Sequence, residues 1–336
     1  MFMQDPSSAL TLIINAVVQR QSLNQIGDAW RLFNGFYEGL PGLVFDRYGS
    51  ALVIFNHTQN DNVDEIITEG MRWVLDTIDD LESALLKHRG APEVWKKNGV
   101  LIAGTELPRS VSEYGVDYAL DLQLNQDAGF YLDTRNLRRW LHGQLGGKRV
   151  LNTFAYTGSL GVAAGAGGAA RVVQTDLSEK FLEIAKKSWE INELDPQRCE
   201  ILPDDFFRVA RRLRNENRLF DCVILDPPFF STTDAGKVDL TRGMTPLINK
   251  VRPLVAHEGW LVVINNALYL PGADFMAELA ALCESEYLSL AELIPVPPDV
   301  TGYPETVVDR PPADPAPFNH PTKIAILRVT RKDKKK

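Results

Sequence analysis

The chain has 336 residues, 45% hydrophobic and 24% charged, a composition that fits a folded globular protein with room for two or three domains. Its formal charge of −8 excludes a broad basic face but leaves room for a local basic cleft. Cys199, Cys222 and Cys283 are too far apart for a metal site or a redox pair, and they read as reduced thiols of a cytoplasmic protein.

The opening "MFMQDPSSALTLIINAVVQRQSL" has a short apolar run without a basic leader or cleavage site. It predicts an amphipathic helix capped near Ser7 or Ser8, forming an N-terminal segment over residues 1–26. No run of about 20 apolar residues occurs, so no membrane partner is expected. Residues 27–115 mix short strand and helix patterns and predict a small α+β domain. Within it, Leu40–His57 reads as a hairpin turning at Asp46-Arg47-Tyr48-Gly49, and Asn62–His88 has helical apolar spacing. "KNGVLIAG" and "EYGVDYALDL" read as further strands.

From residue 116 to 336 strands and helices alternate. Strand-like runs are "RVLNTF" (149–154), "RVVQTD" (171–176), "CEILPD" (199–204), "DCVILD" (221–226), "GWLVVIN" (259–265) and "KIAILRV" (323–329). Helical patterns separate most of them: Ser159–Gly165, Lys180–Asn192, Arg208–Asn215, Pro246–Val255 and Ala273–Cys283. This alternation predicts an α/β domain whose mostly parallel sheet carries helices on both faces. The Pro-rich run Pro295–Pro321 reads as a loop over the ligand edge of that sheet, and "RKDKKK" at the end as a solvated charge run.

Small polar or acidic residues recur where the strands end, and ligands bind at that edge of an open parallel sheet. Gly158 follows the first strand and permits a tight turn into a helix N-terminus; neither G-x-G-x-x-G nor a GK[ST] phosphate loop is present. Asp176 lies about 20 residues further on, where an acid can hold a ribose. "PDD" (203–205) can place an Asp against an adenine amino group. Each acid alone reads equally as a helix cap. Three at successive strand ends predict a nucleoside pocket.

The fourth strand chooses the chemistry. "VILDPPFFS" ends a buried strand with Asp226, a stiff turn at Pro227 and two aromatic rings, Phe229 and Phe230. Asp226 can accept from an amino group while a ring stacks on a base at roughly 1–3 kcal/mol. That arrangement suits a transferase acting on a planar nitrogenous group.

"NQDAGFYLDTRNLRRWL" (125–141), "VLNTFAYTGSLGVAAGAGGA" (150–169), "QTDLSEKFLEIAKKSWEINEL" (174–194) and "DPPFFS" (226–231) carry a resemblance to one family. The chain resembles the class I S-adenosylmethionine-dependent methyltransferases that modify large-subunit ribosomal RNA, at cytosine carbon-5 or guanine nitrogen-7. Residues 31–54 resemble the small domain before the catalytic one. Only about 26 residues precede the match, too few for the RNA-binding PUA domain of some members. The resemblance implies a Rossmann-like domain with a seven-stranded sheet, S-adenosylmethionine as cofactor, RNA as substrate and a homodimer.

At matching positions it implies that Phe154, Tyr156, Gly158 and Ser159 surround the methionine part of the cofactor. Asp176 with Leu177 would hold the ribose, and Asp204 with Phe206 the adenine. Asp226 would stand between donor and target. Gln126, Phe130, Asp133 and Arg135 would form a lid or wall. Carbon-5 members place a nucleophilic cysteine after the strand matching 259–265, where this chain has Asn265 and Asn266. The reading is therefore a base-nitrogen methyltransferase. Two alternatives stay open: a methyltransferase for a protein amide or small molecule, and a non-catalytic cofactor-binding protein. Two arginine-rich clusters could meet RNA: Arg135, Arg138, Arg139, Lys148 and Arg149, or Arg208, Arg211, Arg212 and Arg214.

Overall fold

The computed structural model describes residues 6–58 and 63–331 and divides into two compact units. The first comprises residues 1–132 and 297–311, the second 133–296 and 312–336.

In the first unit α1 (Pro6–Arg20) precedes β1 (Ala29–Asn34), α2 (Gly35–Glu38), β2 (Leu43–Tyr48), β3 (Ala51–Asn56) and α3 (Asp64–Thr77). Then come β4 (Ser83–His88), α4 (Val94–Asn98), β5 (Val100–Ala103), β6 (Ser110–Glu113) and β7 (Val116–Ala119). The five-stranded sheet runs β1-β2-β3-β4-β5 and is antiparallel except for β3 beside β4. Ile13, Val17, Ile67 and Val74 of the two long helices pack on Leu32, Phe45, Leu52 and Ile54 of the sheet.

Three local expectations change here. Ser7 and Ser8 lie inside α1 rather than capping it. The hairpin turns two residues later than expected, at Gly49-Ser50, because Asp46 is a buried strand residue paired with Arg31 at 2.8 Å. Gly49 supplies the positive φ of +59° that such a turn needs. The helical span stops at Thr77, and Ser83–His88 is a strand; periodicity alone cannot type so short an apolar run. Residue 62 and the tail beyond Arg331 lie outside the described residues.

The second unit opens with α5 (Arg135–Gln144), β8 (Arg149–Thr153), α6 (Ser159–Ala166), β9 (Arg171–Asp176), α7 (Glu179–Ile191) and β10 (Cys199–Pro203). Next are α8 (Phe206–Asn215), β11 (Phe220–Leu225), the hairpin β12 (Phe230–Thr233) and β13 (Gly236–Asp239), and α9 (Thr245–Val251). β14 (Val255–Asn265), α10 (Gly272–Cys283) and β15 (Leu288–Ile294) follow. The chain then returns to the first unit with α11 (Pro298–Thr301) before closing the second with β16 (Lys323–Val329).

The sheet order is β10-β9-β8-β11-β14-β16-β15. Its first five strands are parallel, and β16 is antiparallel to both neighbours. The central strands are buried on both faces, which is why "CVIL" and "LVVI" read as unbroken apolar runs. Residues of α8, α9 and α10 (Leu213, Ile248 and Phe275) cover one face, and α5, α6 and α7 pack together elsewhere in the unit. β15 and the β12–β13 hairpin went unpredicted: "LSLAELI" is largely exposed and the hairpin begins in the Phe-Phe motif itself.

The compact units do not follow the sequence division near residue 116. Phe130 accepts from the Tyr48 hydroxyl at 3.0 Å and Asn125 from Lys87 at 2.8 Å, which ties residues 120–132 to the first sheet. The Pro-rich run is shared between units, so residues 297–311 are no loop of the second one. Buried Asp299 accepts from the Arg31 amide at 3.0 Å, and its carbonyl takes the Arg20 guanidinium, itself paired with buried Glu38 at 2.9 Å.

Candidate active site

The strand order brings five C-terminal ends to one edge in the sequence Asp204, Asp176, Phe154, Asp226, Asn265. Register fixes their level: Thr153 lies beside Leu225, Leu225 beside Val263, and Thr153 beside Thr175.

After β8 the backbone takes left-handed φ at Phe154 (+53°), Tyr156 (+53°) and Gly158 (+80°). Two of these are bulky residues, for which that conformation is strained. Hydrogen bonds impose it: Ala155 donates to the Thr175 carbonyl at 2.8 Å, and Tyr156 N–H donates to the Asp176 carboxylate at 2.9 Å. Gly158 admits no side chain, since a Cβ there would stand 2.4 Å from Ala185. Half-buried Ser159 opens α6 directly after it.

Asp176 also accepts from the Ser178 amide at 2.9 Å. Its carboxylate braces two backbone turns and keeps further lone pairs free. Leu177 beside it is two-thirds exposed. In "PDD" the two acids separate by role. Asp205 caps α8, accepting from Phe207 at 2.8 Å and Arg208 at 3.2 Å, so of its two possible roles it fills that of a cap. Among the described residues the Asp204 carboxylate accepts only the neighbouring Asp205 amide, at 2.8 Å, and stands 4.0 Å from Arg208, which leaves it available at the edge. Buried Phe206 stacks on Phe154 with ring centroids 4.5 Å apart.

Asp226 is half-buried, and burial, then the charge of Asp133, pushes its carboxyl up to about 7. Asp133 accepts from the Thr322 hydroxyl at 2.7 Å. Pro227 is buried, while Phe229 and Phe230 are half exposed. Phe230 begins β12 with the Lys237 ammonium 4.8 Å from its ring centroid. Asn265 is fully buried; its Oδ1 accepts from Ala267 at 2.9 Å, and its Nδ2 has no partner among the described residues. Unpaired buried donors cost enough that most are matched by something.

Of the expected wall, Gln126 and Phe130 belong to the first unit. Gln126 is exposed, and Phe130 is a core ring packed 4.9 Å from Tyr118. Asp133 and buried Arg135 belong to the second unit. Sequence reasoning missed Lys323, which stands opposite Asn265 in the β14–β16 ladder. Its buried ammonium donates to the Ala267 and Pro321 carbonyls at 3.0 and 2.7 Å, and burial pushes it down to about 8. The signal was a lysine opening the largely apolar run "KIAILRV". Among the described residues no cluster of three or more potential ligands could hold a metal, and no helix is long and apolar enough to cross a membrane.

The edge thus offers free carboxylate acceptors at Asp176 and Asp204, which fit the hydroxyl and amino donors of an adenosine. A stacked aromatic floor and an unmatched amide donor complete it.

Comparison with known proteins gives the family and the fold. The model of the S-adenosylmethionine-dependent methyltransferase family matches residues 66–308. The Ribosomal RNA large subunit methyltransferase I of Escherichia coli O139:H28 is 30% identical over 267 residues, covering 76% of this chain and 64% of the relative. The protein of that name from Yersinia pseudotuberculosis is 34% identical over 243 residues, covering 68% and 57%. The chain therefore spans under two thirds of the length of these relatives. A solved Streptococcus mutans chain described as a SAM-dependent methyltransferase superposes with TM-score 0.80 at 22% identity, covering 98% of this chain and 83% of its own. A further solved chain, crystallised with SAH, gives TM-score 0.83 at 21% identity over 98% of this chain and 83% of its own. These likenesses establish the Rossmann-like α/β fold. With the family model matching most of its length, the chain belongs to the S-adenosylmethionine-dependent methyltransferase family.

Proposed function

We propose that this protein methylates a base nitrogen of ribosomal RNA, with guanine nitrogen-7 as the acceptor. The observation that carries the choice of atom is the absence of a usable thiol at the site edge. Cys222 lies within β11, three residues before Leu225, and burial raises its thiol. Cys199 opens β10 at the opposite end of the sheet, with its thiol pushed up to about 11 by burial. Cys283 ends α10, and burial raises it too. Pyrimidine carbon-5 needs a thiolate to add at carbon-6, whereas a ring nitrogen already carries the attacking lone pair.

The cofactor, when bound, supplies a methyl group on a positively charged sulfonium. Asp176 holds its ribose hydroxyls and Asp204 its amino group, while the strained Phe154–Gly158 turn shapes the wall around the remainder. Phe229 or Phe230 stacks on the target base, and Asp226 beside it offers negative charge to a ring nitrogen that becomes cationic on methylation. Guanine presents O6 beside N7 on one edge. The Asn265 amide, buried with Nδ2 unmatched, would turn N7 toward the methyl group if the base displaced its cover and O6 took that donor. Orientation of this kind supplies much of the rate without a covalent nucleophile.

Mass spectrometry of ribosomal RNA nucleosides from a strain lacking the gene tests this. We expect one methylated guanine nucleoside to disappear and to return with wild type, Cys222→Ser or Cys283→Ser. An unchanged nucleoside profile, or loss of 5-methylcytidine with failure of a cysteine variant to restore it, would remove the proposal.

A further inference from the structure

We infer that the exposed face of α8, with the β12–β13 hairpin at its start, is the track that binds the phosphates of a single-stranded RNA segment flanking the target base. This rests on the RNA reading above. The two arginine-rich clusters of the sequence prove different in kind. In the first, Arg135 and Arg138 are buried and Arg149 pairs with Asp221. In the second, Arg208, Arg211, Arg212 and Arg214 are all exposed. Only Arg208 has an acid nearby, Asp204 at 4.0 Å; the other three have no ion-pair partner among the described residues. The ten-residue helix "FFRVARRLRN" holds four arginines and no acid, within a chain of net charge −8.

Helix stability does not explain this face. Arg208 and Arg212 are an i,i+4 pair of like charge, which is mildly destabilising. Arg208 also sits in the first turn, where the helix dipole disfavours a cation. Only the last-turn Arg212 and Arg214 gain from it.

The helix runs between two features that suit RNA. It starts one residue after Asp205, at the candidate site edge, and spans about 15 Å toward the opposite edge. At its start the Thr233 hydroxyl bonds Asp205 at 2.6 Å and Gly236 lies against the Phe207 ring, which seats the hairpin on the first turn. That hairpin begins at the exposed Phe230 and carries Lys237. Beyond the end of α8, Arg149, Arg171 and Arg218 line a cleft of ≈ 530 Å³, partly balanced by Glu200 and Asp221. Exposed rings for bases beside a cationic stripe for the backbone form a single-strand platform.

The test measures RNA affinity against salt for wild type, the triple variant Arg211→Gln/Arg212→Gln/Arg214→Gln and the matching triple lysine variant. Each lost phosphate contact lowers the log–log salt slope by about 0.7 on a single strand, so the glutamine variant should lose about 2 from the slope. Its Kd for RNA should rise roughly 10- to 100-fold near physiological salt. The lysine variant should keep the wild-type slope, and all three proteins should bind S-adenosylmethionine alike. A glutamine variant with that cofactor affinity but an unchanged slope and KM overturns this inference alone. Competition by an acidic polypeptide as strong as by RNA also overturns it, assigning the stripe to a protein. Wild type that neither binds nor methylates RNA overturns this inference together with the proposed function.

Discussion

Asp226→Asn is expected to lower kcat by about 10²–10³-fold, the usual loss when one group aimed at the reacting centre is removed, and yet to raise the melting temperature at pH 8. Both effects follow from one placement. The carboxyl sits at the end of a buried strand near Asp133, and burial pushes it up to about 7 from 3.8. Between about pH 4 and 7 the folded chain therefore holds a proton that the unfolded chain has released, and stability falls as pH rises through that window. Asparagine is neutral at every pH, so its advantage is absent below pH 4 and complete above pH 7. The gain should read as a few degrees, at about 2–4 °C per kcal/mol for a unit of this size. Activity runs the other way. Only the carboxylate carries the negative charge that balances the positive charge a methylated ring nitrogen acquires, so wild-type kcat/KM should climb through pH 7. A bound sulfonium favours the charged form, so the midpoint for kcat should lie lower than that for kcat/KM. An asparagine variant within tenfold of wild type, or a wild-type profile flat from pH 6 to 8, would remove Asp226 from the reaction.

The strand-end acids were legible because a doubly buried strand is an unbroken apolar run, and the residue that breaks it marks the sheet edge. Asp176 and Asp226 were readable for that reason. What "PDD" could not reveal was which acid caps α8, since both stand within two residues of the helix start. Only hydrogen-bond geometry separates Asp205, taken up by Phe207 and Arg208, from Asp204. Lys323 stayed hidden because its neutralising partners are backbone carbonyls, which carry no sequence signature. The return of residues 297–311 to the first unit was invisible for a like reason. It depends on Asp299 meeting the amide of Arg31, a contact 268 positions away in the chain. The arginines of α8 were countable from the sequence, but the lack of an acidic partner for Arg211, Arg212 and Arg214 among the described residues was not. The pairing of Arg149 with Asp221 shows how easily a similar cluster is spent on structure.

Asp176→Ala should weaken S-adenosylmethionine binding about 100-fold, roughly 2.8 kcal/mol at 1.4 kcal/mol per tenfold, while leaving kcat at saturating cofactor within a few-fold of wild type. The carboxylate does two things that alanine cannot. It takes the amides of Tyr156 and Ser178, both at 2.9 Å, and so holds the turn in which Phe154 and Tyr156 adopt left-handed φ. Its remaining lone pairs are acceptors for hydroxyl donors. Removing it releases the strained turn, so that part of the binding energy must re-form the turn, and it deletes the ribose contact. Asp176→Asn divides these contributions. The amide oxygen can still accept a backbone N–H, but its NH₂ faces hydroxyls as a donor, and the loss should be nearer tenfold. Neither variant touches the base or the methyl acceptor, so KM for the cofactor should move and kcat should not. Calorimetry with the cofactor and steady-state kinetics together check this. Affinity within threefold of wild type in the alanine variant would show that the ribose is held elsewhere, and a collapse of kcat with unchanged affinity would move Asp176 from binding to the chemical step.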